Sequence, residues 1–131
     1  MHTRKISQIT EEYAAFFLIS LGYEVLDSNF SSAGGEIDLI TYKDHIWHFI
    51  EVKGRKQRGF LCAEETVTED KLEKLELTAL AFLDGHDELW QIDLVAVSYD
   101  RELKIMNIDL YENISVMGSR WSPPLFGLLS P

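Results

Sequence analysis

The chain has 131 residues, enough for one domain with its own core, and 46% of them are hydrophobic, which excludes a disordered polymer. No apolar run reaches the ~18 residues of a membrane-spanning helix, and Met1-His2-Thr3-Arg4-Lys5 leads into a polar helix rather than a signal-peptide core, so a cytoplasmic protein without a membrane partner is expected. The net charge of −10, from 12 Lys and Arg against 22 Asp and Glu, excludes a broadly basic surface, so any nucleic-acid contact needs a local basic patch or a bound metal ion.

Residues 7–21 carry the spacing of an amphipathic helix, with Ala14, Phe17, Leu18 and Leu21 on one face. Ser7 and Thr10 are the candidate caps at its start, and Gly22 fits its stop. Residues 23–29 read as a strand, followed by a loop, Phe30-Ser31-Ser32-Ala33-Gly34-Gly35, whose two glycines suit a tight approach or a left-handed turn. Two strands follow, roughly 36–42 and 46–53, with the turn Lys43-Asp44-His45 between them. His45 and His48 have no third His and no Cys beside them, so a zinc site is not expected.

The only dense basic run, Lys53-Gly54-Arg55-Lys56-Gln57-Arg58, reads as a loop placed to meet a phosphate. The lone cysteine, Cys62, cannot form an internal disulfide and reads as a small hydrophobe, in keeping with a reducing compartment. A second helix spans about 68–83, opened by a capping box at Thr66-Val67-Thr68-Glu69 and closed by Gly85. Residues 89–98 form a near-continuous apolar strand, which implies cover on both faces, and 103–110 a further antiparallel strand. The tail from Ser119 holds Trp121, Phe126 and three leucines between prolines; it either packs back on the domain or docks on a partner subunit, leaving a homodimer open. The order α-β-β-β-α-β-β gives an α/β sandwich around a mixed sheet.

The two middle strands carry the chemistry. If their turn is centred between Asp44 and His45, residues pair when their numbers sum to 89, and Asp38 faces Glu51. Two carboxylates so placed repel unless a cation lies between them, and hard divalent ions take such oxygen ligands. Lys53, on the face of Glu51, brings an ammonium to the same spot. Asp93, in the apolar strand, reads as structural.

Asp38…Glu51-x-Lys53 resembles the PD-(D/E)xK motif of restriction-endonuclease-like nucleases. The wording Gly-Glu-Ile-Asp-Leu-Ile and Ile-Glu-Val-Lys-Gly-Arg is closer still to the YraN-type family, small bacterial candidate endonucleases related to archaeal Holliday-junction resolvases, and the likeness runs from about Glu11 to about Val97. The resemblance implies a restriction-endonuclease-like three-layer sandwich around a central mixed sheet. It implies one nuclease-like domain over 1–131, with a core at about 7–110 and a C-terminal tail at 111–131.

It also implies a metal-dependent endonuclease for DNA, with branched or single-stranded substrates in view through the resolvases. Asp38, Glu51 and the backbone carbonyl of Val52 would hold Mg²⁺ or Mn²⁺, and Lys53 would orient the attacking water or steady the transition state. Glu11, matched through Glu-x-x-Ala-x-x-x-Leu-x-x-x-Gly, would be an outer or second-metal ligand, with Glu12 as second choice. Arg55, Lys56, Arg58 and Lys71 would contact phosphates. This chain departs from the family in the loop at 30–33, where the family usually carries arginines, and at Gln91, where it has an arginine. Two other readings follow from those departures and the acidic charge: a nucleic-acid-binding module that kept the fold without turnover, and an interaction protein with an acidic surface.

Overall fold

A computed structural model describes residues 2–32, 34–56 and 67–114, with side chains from Lys5 onward. Arg58, Cys62, Thr66 and the tail beyond Ile114 lie outside these residues. Helix α1 (His2–Ser20) is followed by β1 (Glu24–Ser32), β2 (Gly35–Lys43) and β3 (Ile46–Lys56). Helix α2 (Glu69–Leu83), β4 (Trp90–Tyr99) and β5 (Ile105–Tyr111) complete the expected order. The strands lie side by side as β1-β2-β3-β4-β5, and β3 with β4 is the parallel pair in an otherwise antiparallel sheet.

The helices cover opposite faces, because alternation along the strands splits the apolar residues into two sets. Leu39, Ile50, Val95 and Val97 pack with Ala14 and Leu18 of α1. Ile40, Phe49, Ile92 and Leu94 pack with Leu72, Leu75, Ala79 and Leu83 of α2. This is the three-layer, restriction-endonuclease-like sandwich.

Helix α1 starts five residues earlier than its apolar spacing suggests, at His2 rather than residue 7. No breaker precedes Ser7, and Ile6 and Thr10 continue the stripe of Ala14 and Phe17. Ser7 and Thr10 are therefore mid-helix, and the Thr10 hydroxyl donates back to the Ser7 carbonyl at 3.1 Å instead of capping. The helix closes on Gly22 (φ +96°), with Tyr23 N–H donating to Leu18 O and Gly22 N–H to Ile19 O, a Schellman motif. Leu21 falls past the helix end and is exposed rather than buried.

The loop expected at 30–35 is mostly strand, since Phe30, Ser31 and Ser32 pair with Ile37, Glu36 and Gly35. The β2–β3 turn is centred as expected: Asp44 (φ +52°) and His45 (φ +67°) occupy the two left-handed positions of a tight hairpin. Helix α2 is capped by Thr68, whose hydroxyl accepts from Lys71 N–H at 3.1 Å; the Thr66 end of the expected capping box lies outside the described residues. The helix ends at left-handed Asp84 followed by Gly85 (φ +82°).

Candidate active site

The site grows out of where the β2–β3 ladder stops. Its pairs run from Lys43↔Ile46 to Leu39↔Ile50, each summing to 89, so the chain delivers Asp38 opposite Glu51 one step beyond the last pair. There a side chain replaces the ladder bond: Asp38 Oδ2 accepts from Val52 N–H at 2.7 Å. The N–H and C=O of one strand residue point to the same side. The Val52 carbonyl is therefore turned toward β2 as well, past the end of the ladder. On the other side of β2, Asp38 stands opposite Asn29, the missing pair between Ser28↔Leu39 and Phe30↔Ile37. Asn29 is left-handed (φ +53°), and Ile37 and Ile40 both turn to the α2 side, so strict alternation along β2 breaks once around Asp38.

Two glycines let the helices come close at this end of the sheet. A Cβ on Gly54 would sit 2.8 Å from the Thr10 methyl, so only glycine lets α1 lie against the end of β3, with Glu11 next in line. A Cβ on Gly35 would collide with the Thr78 hydroxyl and lie 3.2 Å from the Lys74 carbonyl, so α2 approaches the start of β2 in the same way. Between the elements lies a cleft of about 370 Å³ whose lining includes Glu11, Glu36, Asp38, Glu51, Val52 and Lys71.

Four acids in one cleft shape its electrostatics. Glu51 is buried, at 6% exposure, and its pKa is pushed up to about 7. Loss of hydration is the largest cause, the Asp38 charge comes next, and Lys71 and Lys53 oppose them. Burial also raises Asp38, against the pull of the Val52 N–H bond and a hydrogen bond with Glu51. Glu11 is raised by burial and by Asp38, with a hydrogen bond from Asn29 acting the other way. Two neighbouring carboxyls, one holding its proton up to near neutrality, form a place that a divalent cation can take in the proton's stead.

The donor set is all hard oxygen: Asp38, Glu51 and the Val52 carbonyl. It fits Mg²⁺ or Mn²⁺, which keep several waters beside one or two carboxylates. Among the described residues no group of three or more His, Cys, Asp or Glu side chains is placed to grip an ion together. Glu11 thus stands outside the direct set and faces Asn29.

The other expected residues divide. Lys71 Nζ lies 3.5 Å from Glu51 Oε2, so its partner is the motif glutamate across the cleft, not the acids of its own helix. Lys53 is half-buried on the face of Glu51 and draws its pKa down, yet among the described residues Lys71, not Lys53, makes the ion pair. Arg55 and Lys56 are not loop residues. They extend β3 by pairing with Ser98 and Tyr99 of β4, whose length carries the parallel ladder past Gly54. Glu12 is exposed and does not line the cleft.

Asp93 is structural, as expected. Fully buried, it accepts from Gln91 Nε2 (2.9 Å) and Asn113 N–H (2.8 Å) and meets His48 Nδ1 at 2.8 Å. Glu36 is the acid the sequence reading left unassigned; its place two residues before Asp38 was the available signal.

A family model described as "Uncharacterised protein family UPF0102" matches residues 10–97. A UPF0102 protein of Sulfurihydrogenibium sp. (strain YO3AOP1) is 36% identical over 100 residues, 74% of this chain and 87% of its own. One from Sulfurimonas denitrificans is 40% identical over 81 residues, 62% of this chain and 72% of its own. One from Roseiflexus castenholzii is 38% identical over 103 residues, with shares of 76% and 83%.

Proposed function

The chain belongs to the uncharacterised protein family UPF0102, and from its acidic cleft we propose that it is a divalent-metal-dependent nuclease hydrolysing DNA phosphodiester bonds. One observation carries the reading: half-buried Asp38 and buried Glu51 meet beside Lys71 where the β2–β3 ladder ends. Buried like charges are costly, and a purely structural role would be served by neutral residues.

Asp38, Glu51 and the Val52 carbonyl would hold Mg²⁺ or Mn²⁺. When bound, the ion supplies a water of lowered pKa and positive charge at the phosphate. Asp38 is fixed for this by the Val52 N–H, which donates to its Oδ2. Glu51 would hold the ion in place of its proton, and the Lys71 ammonium, now 3.5 Å from Glu51, would contact a phosphate oxygen. Lys53, on the same face, would orient the attacking water or steady the charge of the transition state. Glu11 would act in an outer shell through water. Arg55 and Lys56 at the end of β3, with Arg58 beyond them, would contact phosphates along the strand. Cleavage of branched DNA rests on the resolvase resemblance alone.

The charge of −10 favours a second reading, a binding module without turnover. Incubating the protein with duplex, flap, fork and four-way-junction DNA in Mn²⁺ separates the two. Metal-dependent cleavage supports the first. Binding of DNA and of Mn²⁺ with every substrate intact supports the second.

A further inference from the structure

A second cleft, of about 620 Å³, opens beside the acidic one, between the β1–β2 hairpin and α2. Its lining includes Ser31, Ser32, Gly34, Gly35, Lys74 and Leu75. Glu36 and Lys71 line both clefts, so the two meet along a shared rim. The balance of charge reverses across it. The first cleft gathers Glu11, Glu36, Asp38 and Glu51 around Lys71. The second has Glu36 as its one acid among the described lining residues, against Lys71 and Lys74.

The chemistry of the second cleft is that of a phosphate contact. Lys74 is exposed and makes no ion pair among the described residues, whereas Lys71 is held by Glu51. Ser31 and Ser32 offer hydroxyl donors from the last residues of β1. Gly34 is left-handed (φ +83°), and nothing lies within 4 Å of where its Cβ would be, so a ligand can reach the backbone there. Lys71 and Lys74 lie one helical turn apart, facing the same side of α2. Each cleft has the volume of a small-ligand site.

The geometry points to the second cleft as the seat of the phosphodiester next to the one in the acidic cleft, on a single nucleic-acid strand that crosses the Glu36–Lys71 rim. Lys74 is the anchoring cation, with Ser31 and Ser32 as hydrogen-bond donors. This rests on the nuclease reading for the strand's identity, but its contacts need no metal. In EDTA the acidic cleft repels phosphate, and the second cleft still holds it.

The test is equilibrium binding of a fluorescent single-stranded oligonucleotide in EDTA, by anisotropy, over a series of salt concentrations. Lys74→Ala should weaken binding about three- to tenfold and lower the salt slope by about 0.7, the share of one single-strand phosphate. Ser31→Ala with Ser32→Ala should weaken binding with the slope unchanged. Glu36→Gln should tighten it, by removing the rim's repulsion. Lys104→Ala, at an exposed lysine of the β4–β5 turn, should change neither quantity.

An unchanged slope and affinity for Lys74→Ala would overturn the subsite even if the protein cleaves DNA in Mn²⁺. A lost slope with no cleavage under any condition would uphold the subsite and sink the nuclease reading. Equal displacement of the oligonucleotide by inorganic phosphate at matched ionic strength would mark a site for free anions, and overturn the strand path.

Discussion

Replacing Glu51 by Gln reads the cost of burying the Glu51 charge beside Asp38. The Glu51 pKa lies near 7 in the folded chain against an ordinary 4.5, so the folded state holds this proton more tightly than the unfolded one. The sign follows from proton linkage. A raised acid gives full stability below about pH 4.5, and that stability is lost as pH rises through about 7. The difference of about 2.5 pKa units is worth up to about 3 kcal/mol at 1.36 kcal/mol per unit.

Gln has nearly the same shape and no proton to lose. Loss of the Lys71 contact subtracts little, since that side chain is 47% exposed. In EDTA, Glu51→Gln should therefore match the wild type near pH 4 and exceed it by about 3 kcal/mol at pH 8, roughly 10 °C in melting temperature. Urea unfolding followed by circular dichroism at a series of pH values gives the difference directly. A gap between the two proteins that does not change with pH, or a variant weaker than wild type at pH 8, would refute the burial of an ionisable Glu51 beside Asp38.

Asp38→Asn keeps an acceptor for Val52 N–H and should be as stable as the metal-free wild type at pH 8, while Asp38→Ala should lose about 1–3 kcal/mol by leaving that N–H unpartnered, as read by chemical unfolding. Gly54→Ala should cost about 1–3 kcal/mol through contact with the Thr10 methyl, and Thr10→Ser should recover part of it in a double-mutant cycle. Asp93→Asn should cost about 3 kcal/mol, because the buried carboxylate serves Gln91, Asn113 and His48 together; a loss below about 1 kcal/mol by thermal melting would contradict that role.

The features legible in the sequence were those set locally. A turn centred at Asp44-His45 fixes the register of β2 against β3, and the register alone brings Asp38 to Glu51. Apolar periodicity marked the α2 stripe at Leu72, Leu75 and Ala79, and near-continuous hydrophobicity marked β4 as buried on both faces. What stayed hidden depends on distant partners. No local pattern says that Lys71 reaches across to Glu51, since that follows from α2 docking on β2 over Gly35. Arg55 and Lys56 read as loop beside Gly54, but β4 runs on to Tyr99 and holds them in the ladder. The start of α1 was hidden for a different reason: residues 2–6 carry no Pro or Gly, so nothing in the sequence stops the helix short of Ser7.

The most direct test of the nuclease reading is Mn²⁺-dependent cleavage of the branched and single-stranded DNA panel by wild type, Asp38→Asn and Lys53→Ala, with Mn²⁺ affinity measured by calorimetry on the same preparations. The expected result is cleavage by wild type alone, Mn²⁺ binding lost in Asp38→Asn and nearly intact in Lys53→Ala. Equal cleavage by all three proteins, or equal Mn²⁺ binding by wild type and Asp38→Asn, would contradict it.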